Sequence, residues 1–334
     1  KFASNDIVKI SKYKDLIHFL KNKKGSYALD YSQNSFKEVL VRCILARFDI
    51  KIVKYLGGLK PPVLYKHIDK DNKEFKVDQR PLIKKIIDIP ILLLSLFKKK
   101  FIILINSYVV DTVIFAGKKL QNIDFNIKTV KKILYSHTYD YNSYLELKGK
   151  NNRVIKNNYI VYIDQNLISH PDFFIKKKNP YVDENFYPKI NNFLFQLKKK
   201  YGYDIKIALH PKNNTKKNPF PNKKNCFIDK TPELIKNCKH VIMHYSTAVS
   251  YGVIYKKPIT FITTDQLNMN RPGALITKLS MELNSQLINI DRVHNFIIRK
   301  NFDKKKYNNY MNQYIKHPKS NNENSWTYLL KNIL

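Results

Sequence analysis

Short apolar runs alternate with longer amphipathic segments along the whole chain. Runs bounded by polar or turn-forming residues are typical of buried strands, and apolar positions at helical spacing are typical of helices. The runs predict strands at Ser26–Asp30, Ile50–Tyr55, Phe101–Ile105, Ile133–Tyr135, Tyr159–Ile163, Ile205–Leu209, Phe227–Ile228, Val241–Met243, Ile259–Ile262 and Leu287–Ile290. The amphipathic segments predict helices at Ser35–Phe48, Tyr187–Tyr201, Thr231–Cys238 and Ala248–Tyr255, and a helix or a strand and turn at Ser107–Lys119. Alternating strands and helices predict an α/β fold with parallel sheets.

A polar segment divides this pattern into two halves. Gly149 is a chain breaker, and residues 150–158 are mostly polar and charged. Because strands and helices alternate on both sides of this segment, we expect two Rossmann-like domains. They span residues 1–150 and 151–334, and the second carries a helical tail from about residue 300.

The stretch Lys239–Asp265 contains the clearest candidate for a ligand-binding site in such a domain. A short apolar run ends in His244-Tyr245-Ser246-Thr247, then a helix with small residues and a second strand follow. Hydroxyl groups and backbone N–H groups at a helix start are suited to binding phosphate. The alternative is an ordinary strand–helix–strand unit in which Ser246 only caps the helix.

Polar clusters follow two further predicted strands, Asp164-Gln165 after one and His210-Pro211-Lys212 after the other. The carboxyl ends of parallel strands share one edge, where open α/β folds bind ligands. In the first half, His137 and Asp140 follow the last predicted strand. We therefore expect the two domains to face each other across a cleft that these clusters line.

The charge balance favours anionic partners. Lysine and arginine number 61 against 26 aspartate and glutamate residues, a formal net charge of +35 at pH 7. Such an excess attracts nucleic acid, anionic lipid headgroups or phosphorylated substrates. The charge is spread along the chain and is mostly lysine, in a composition rich in Asn, Ile, Lys and Tyr that is typical of an AT-rich genome. We find no basic stripe interleaved with aromatic residues, and we expect no nucleic-acid partner.

Cysteine usage and hydropathy restrict the location of the chain. The three cysteines form no CxxC pair, which favours a reducing compartment over a disulfide scaffold or a structural zinc site. The most apolar segment, Ile86 to Ile105, is interrupted by three lysines and is too short on either side to span a bilayer. We interpret it as a buried helix and strand, with a lysine-rich membrane-surface helix as the alternative.

The motifs His210-Pro211 and Ser246-Thr247 resemble those of a known class of enzymes. A strand and a helix separate them, as in GT-B glycosyltransferases and more narrowly in bacterial sialyltransferases and related enzymes that use CMP-activated ulosonic acids. The resemblance covers Tyr159 to Asp265, and the D/E-D/E-G motif of that family is missing. Residues 136–174 also resemble uncharacterised proteins of capsule and surface-polysaccharide clusters.

The resemblance implies a role for each candidate residue. His210, next to Pro211 and Lys212, would bind the nucleotide phosphate or act as general acid for its departure, and its alternative is a strand-terminating turn. Ser246 and Thr247 would bind the same phosphate. His244 would assist them, or is a packed histidine.

A carboxylate is needed to take the proton of the acceptor hydroxyl. Asp164 and Asp140 are the candidates, and each has a structural cap or turn as its alternative. His137 beside Asp140 is either a base and its orienting partner or a hydrogen-bonded hinge. A CMP donor requires no metal or cofactor, and we assign none; Asp69-Lys70-Asp71 is a minor candidate for a metal motif.

These observations predict a metal-independent glycosyltransferase that moves a CMP-linked 2-ulosonic acid to a bacterial surface glycan. Its partners would be a nucleotide sugar, a glycan or lipid-linked acceptor and, through lysines at 84–100, an anionic membrane surface. We expect a cytoplasmic location, peripheral on the inner face of the bacterial inner membrane. One alternative is an NDP-hexose donor, with Asp265 on the ribose or sugar hydroxyls. The other is a basic nucleic-acid-binding protein without catalysis.

Overall fold

The computed structural model of the chain describes residues 10–32, 35–57, 97, 100–119, 129–149, 158–170, 180–213, 218–293 and 295–333. These residues form two compact units, and the chain passes from the first to the second between His137 and Thr138. Late in the chain, His317–Ser320 belongs to the first unit, and the residues that follow belong to the second.

The first unit is built on a parallel sheet with the strand order β1-β2-β3-β4. The strands are β1 Tyr27–Asp30, β2 Lys51–Leu56, β3 Thr112–Phe115 and β4 Lys132–Tyr135. Helices of this unit are Tyr13–Leu20, Phe36–Arg47 and residues 100–109. Val53 pairs with Leu29 on one side and with Thr112 on the other. Every position of β3 is buried, as expected for a parallel strand covered on both faces.

The second unit contains a larger parallel sheet with the order β7-β6-β5-β8-β9-β10. The strands are β5 Tyr159–Ile163, β6 Asp204–Ala208, β7 Cys226–Phe227, β8 His240–Met243, β9 Ile259–Thr263 and β10 Gln286–Asn289. The helices are Tyr139–Gly149, Phe186–Tyr201, Thr231–Asn237, Val249–Ile254, Asp265–Asn268, Arg271–Leu283, Lys304–Tyr310 and Ser325–Ile333, with a π-helix at Met311–Ile315. The chain enters at β5, builds outwards to β7, then returns beside β5 with β8. This is the Rossmann order, in which the loops after the two central strands diverge.

The prediction of an α/β chain with two Rossmann-like domains is confirmed. The predicted helix near Tyr187 spans Phe186–Tyr201, buries Ile190 and Leu197, and ends at Gly202 in the left-handed region with φ 66°. Small residues do permit close packing in the helix Val249–Ile254, since a Cβ at Gly252 would lie 2.6 Å from Ile259 Cδ1.

One strand prediction is wrong. Phe101–Ile105 lies within the helical residues 100–109, and β3 comes only after them. A short apolar run does not distinguish a strand from a helix segment, and here the helix prevailed. The rest of the apolar segment Ile86–Ile105 lies mostly outside the described residues. Among the helices that the structure describes, none is long and apolar enough to cross a bilayer.

The division between the units falls earlier than the expected boundary near residue 150, because helix Tyr139–Gly149 packs within the second unit. Lys236 Nζ donates to the carbonyl of Leu147 at 3.0 Å. The ring of Tyr144 meets that of Tyr255 edge-on, with centroids 5.5 Å apart. Helix Tyr139–Gly149 therefore packs against the helices Thr231–Asn237 and Val249–Ile254 of the second unit.

A cluster of charged side chains lies at the carboxyl end of β1. Arg42 and Lys54 are both almost fully buried, and both pair with Asp30, at 2.6 and 3.2 Å. Arg42 also donates to Asn106 Oδ1 and Ser32 Oγ, each at 2.9 Å. Burial alone would raise the pKa of Asp30, but hydrogen bonds from Ser32 and Arg42 and the charge of Lys54 hold it below its ordinary value.

We expect Asp30→Asn to destabilise the protein by about 3–5 kcal/mol, because it leaves two buried cations without their carboxylate. Since the folded pKa of Asp30 is depressed, this stabilisation is present above the ordinary aspartate pKa and is lost as the pH falls through the folded value. Urea unfolding of both proteins at pH 7 measures the difference. The exposed residue Asp15 offers the control, Asp15→Asn, and a loss of similar size there would contradict the assignment.

Candidate active site

A pocket of about 720 Å³ opens at the carboxyl edge of the second sheet, and its lining residues all belong to the second unit. It is lined by residues that follow three strands: Asp164 after β5, His210 and Pro211 after β6, and Ser246 and Thr247 after β8. β5 and β8 are neighbours at the point where the strand order reverses, the usual ligand position in open α/β sheets. The predicted meeting of these clusters at one edge is therefore observed.

A side-chain amide holds the two central loops together. The backbone N–H of Tyr245 donates to Gln165 Oε1 at 2.9 Å, and Gln165 Nε2 donates back to the carbonyl of Tyr245. Gln165 therefore satisfies a backbone donor and acceptor where the ladder between β5 and β8 has ended. Gln165 thereby connects the loop that carries Asp164 to the loop that carries Ser246.

Asp164 is a buried carboxylate that accepts several hydrogen bonds. Oδ1 accepts from the hydroxyl of Tyr187 and the N–H of Asn166, both at 3.2 Å, and Oδ2 accepts from Asn213 Nδ2 at 3.3 Å. Burial raises the pKa of Asp164 to about 6, although the bonds from Asn166 and Tyr187 oppose the rise. At pH 7 the group is therefore mostly ionised and more basic than an ordinary aspartate, as a general base requires.

His210 has a defined tautomer. The backbone N–H of Lys212 donates to His210 Nδ1 at 3.1 Å, so the neutral ring carries its proton on Nε2. The ring of His170, which also lines the pocket, meets it nearly perpendicularly with centroids 4.7 Å apart. In this arrangement the Nε2–H of His210 is a hydrogen-bond donor. Pro211 lies between His210 and Lys212, in the turn that brings the N–H of Lys212 to Nδ1.

Ser246 and Thr247 form the turn that leads into helix Val249–Ile254. Ser246 Oγ accepts from the N–H of Ala248 at 3.2 Å, which leaves its O–H as a donor. The helix begins at Val249, and no side chain caps it. Ser246 and Thr247 therefore lie in a short turn before the helix and not at its first residues. Both residues line the pocket and bring two hydroxyl groups to it.

Asp140 is the second carboxylate of interest in the lining. It belongs to the first turn of helix Tyr139–Gly149. Burial raises the pKa of Asp140, while hydrogen bonds from the side chains of Ser250 and Tyr251 lower it. These bonds hold the carboxylate against helix Val249–Ile254, which follows Thr247.

His244 does not line the pocket, and it is fully buried beneath it. Its Nδ1–H donates to the carbonyl of Ile262 at 2.8 Å, and Nε2 accepts from the hydroxyl of Tyr162 at 3.0 Å. Burial lowers the pKa of His244 to about 4, so the ring is neutral at pH 7. The packed-histidine alternative describes this residue, and we do not retain it in the nucleotide site.

Two other predicted residues also lie outside the pocket lining. His137 is buried in the first unit, where its carbonyl accepts from the hydroxyl of Tyr55 at 2.7 Å. Asp140 belongs to the second unit, so a base–orienter pair between them stays a prediction. Lys212 is exposed, and its contribution to the site is the backbone N–H that it donates to His210.

The structure adds pocket residues that the sequence did not reveal. Arg271 begins helix Arg271–Leu283 and lines the pocket with His170, Asp229 and Tyr245. Arginine is scarce in this lysine-rich chain, and Asn270-Arg271-Pro272 has the cap and proline of a helix start. That pattern could have indicated the helix, but the meeting of Arg271 with the β8 loop is a tertiary contact.

Two further candidates from the sequence are a metal motif and the carboxylate of Asp265. Among the described residues, no group of three or more histidine, cysteine or acidic side chains could hold a metal ion. Asp69-Lys70-Asp71 lies outside them. Asp265, the candidate for the NDP-hexose alternative, is not in the lining; a hydrogen bond from Asn289 and an ion pair with Arg292 at 2.8 Å lower its pKa.

No protein-family model matches the sequence, and no curated protein matches it. Among solved structures, the UDP-GlcNAc 2-epimerase of Methanocaldococcus jannaschii in complex with UDP-GlcNAc and UDP is similar at 12% identity and a TM-score of 0.42, over 88% of this chain and 76% of that chain. The wall teichoic acid polymerase TagF is similar at 15% identity and a TM-score of 0.47, over 91% and 71%. Acinetobacter baumannii MurG follows at 8% identity and a TM-score of 0.36, over 88% and 70%. Likeness at this level does not identify a reaction.

Proposed function

We propose that the chain is a GT-B glycosyltransferase that transfers a CMP-activated 2-ulosonic acid, such as a sialic-type sugar or Kdo, to a bacterial surface glycan. One observation carries the proposal. His210, the pair Ser246-Thr247 and Asp164 meet around a pocket of about 720 Å³ at the reversal point of a Rossmann-type sheet. A pocket of this size accommodates a nucleotide with part of a sugar.

The donor phosphate would lie between the β6 and β8 loops. His210 Nε2–H and the hydroxyls of Ser246 and Thr247 are neutral donors for the charge that develops on the departing phosphate. A neutral imidazole that lost its Nε2 proton would become an imidazolate anion, which is too unfavourable for a general acid. In this tautomer His210 therefore binds the phosphate by donating a hydrogen bond from Nε2. It becomes a general acid only if it gains a second proton at Nδ1, which breaks its bond with Lys212.

Asp164 is our choice of base, with Asp140 as the alternative. The carboxylate removes the proton of the acceptor hydroxyl, whose oxygen attacks the anomeric carbon while the bond to the phosphate oxygen breaks and CMP departs. A pKa near 6 suits proton removal at neutral pH. The pKa of Asp140 is also raised, but Asp140 belongs to a helix, whereas Asp164 directly follows β5 at the point where the strand order reverses.

Arg271 would neutralise a second anionic group of the donor. In a CMP-ulosonic acid that group is the sugar carboxylate, which a guanidinium can bind through two hydrogen bonds. The reaction needs no cofactor in this scheme. The acceptor would be a glycan or a lipid-linked glycan, handled on the cytoplasmic face of the membrane, and the net charge of +35 favours such anionic surroundings.

An NDP-hexose donor is the second candidate, and Arg271 is also the observation that favours it. The same guanidinium could bind the second phosphate of a nucleoside diphosphate. Against this candidate, Asp265 lies outside the pocket lining.

A thermal-shift series with CMP, CDP, UDP and GDP tests the donor. At about a hundredfold excess over Kd, CMP is expected to raise the Tm by about 5–10 °C, because a ligand bound only to the folded state stabilises it by about 2.7 kcal/mol. Ser246→Ala should weaken the shift, whereas Ser285→Ala, outside the pocket lining, should leave it unchanged. Stabilisation by UDP or GDP alone would overturn the CMP assignment, and no shift with any nucleotide would overturn the transferase proposal.

A further inference from the structure

A helix of the first unit exposes large apolar side chains in a row. Residues 97 and 100–109 are helical. Phe97, Phe101, Leu104 and Tyr108 are 73, 55, 63 and 85% exposed. Phe101, Leu104 and Tyr108 follow each other at intervals of three and four residues, which places them on one face of the helix 100–109, and Phe97 precedes Phe101 by four residues in the sequence. We call these four residues the aromatic stripe.

The opposite face of this helix is buried and mostly apolar: Asn106 and Val110, just past the helix end, are fully buried, and Ile102 and Ile103 are half-buried. Asn106 is fully buried and accepts from Arg42 at 2.9 Å, and Ser107 Oγ donates to the carbonyl of Ile103 at 2.7 Å. An ordinary surface helix buries its apolar face and exposes its polar face. This helix carries large apolar side chains on its exposed face as well, and contiguous exposed apolar patches mark interaction surfaces.

We infer that the aromatic stripe docks on an anionic membrane surface, with the helix lying in the plane of the interface. Lys100 is exposed beside the stripe, and the sequence places Lys98 and Lys99 directly before it. Aromatic and leucine side chains on one face, next to lysines that reach the headgroups, are the composition of interfacial helices. The lysines and the net charge of +35 supply the complementary charge for anionic lipid.

The same charges argue against a second copy of the chain as the occupant. Two surfaces that each expose Lys100 would repel each other, and the cores of protein interfaces are depleted in lysine. The inference concerns the first unit alone and is independent of the function proposed for the pocket, which lies in the second unit.

The test is co-sedimentation of the full chain with vesicles in the absence of nucleotide. Vesicles of phosphatidylcholine and phosphatidylglycerol are expected to bind the wild-type chain, and vesicles of phosphatidylcholine alone to bind it at least about tenfold more weakly. The double variant F101S/L104S should lose about tenfold or more of the binding to the anionic vesicles, because two large apolar side chains no longer enter the interface. K100E should weaken binding in the same direction.

The matched control is F195S/M281S, which removes two side chains of similar exposure, 64 and 67%, from helices of the second unit. It should bind the anionic vesicles as the wild type does. Unchanged binding of F101S/L104S, equal binding to both vesicle types or no binding of the wild type would each overturn the inference. So would a dimer in solution that F101S/L104S dissociates, because a second copy would then cover the stripe. Circular dichroism and Tm identify a variant that fails to fold, in which case K100E decides.

Discussion

Replacing His210 with asparagine is expected to lower kcat for sugar transfer by about 10²–10³-fold, the usual effect of removing one donor from a developing oxyanion. Asparagine can keep the bond to the N–H of Lys212, because its amide oxygen replaces Nδ1. It removes the Nε2–H that we assign to the donor phosphate. Initial rates with the nucleotide sugar that stabilises the chain measure the effect.

Glutamine at the same position separates the proposed role from a purely structural one. Its amide nitrogen reaches the place of Nε2, so His210→Gln should recover part of the lost kcat while the asparagine variant does not. His18→Asn, on an exposed helix of the first unit, is the control and should change nothing. If both His210 variants retain wild-type rates, His210 is only the residue that ends β6.

Asp164→Asn is expected to abolish measurable transfer and, at the same time, to stabilise the protein at pH 7. The pKa of Asp164 rises from an ordinary 3.8 to about 6 on folding, so the buried ionised carboxylate costs about 3 kcal/mol at neutral pH. An asparagine cannot take a proton from the acceptor, but it is not charged in the buried site. A gain of up to about 3 kcal/mol in the free energy of unfolding should accompany the loss of activity.

The gain should depend on pH in a defined direction. The folded state binds the proton of Asp164 more tightly than the unfolded state does, so the contribution of this group is most favourable below pH 3.8 and declines as the pH rises to about 6. Urea unfolding at pH 7 should therefore favour the asparagine variant, and at pH 4 the two proteins should approach each other. Asp204→Asn, at an exposed ion pair with Lys198, should change stability little at either pH. A loss of stability at pH 7 in Asp164→Asn would show that the bonds from Tyr187 and Asn213 outweigh the cost of burial.

Much of the pocket could be predicted from the sequence, because polar residues that directly follow parallel strands all lie at the same edge of the sheet. β5, β6 and β8 are short apolar runs that end abruptly in polar residues, and each signal is readable from a few neighbouring positions. Parallel strands deliver their carboxyl ends to one edge whatever their order. Asp164, His210 and Ser246 could therefore be grouped without knowledge of which strands are neighbours.

The predictions that were wrong concern residues whose role depends on their burial. A histidine after a strand, for example, either lines a pocket or packs in the core. His244 directly follows β8 and precedes Ser246, so the sequence treats it as part of the same cluster. One residue of difference along an extended segment turns a side chain to the other face, and His244 points into the core beneath the pocket. The strand prediction for Phe101–Ile105 was wrong for a related reason, because this apolar run belongs to a helix that exposes Phe101 and Leu104.

By itself, the sequence determined the α/β class, the alternation of strands and helices, and the polar residues at the strand ends, because each depends on a local pattern of side chains. Only the tertiary structure decided that Arg271 and His170 join the pocket, that Gln165 bridges two loops, and that helix Tyr139–Gly149 brings Asp140 to the second unit. These contacts join residues far apart in the chain, and their free energy comes from packing and burial that no window of neighbouring residues contains.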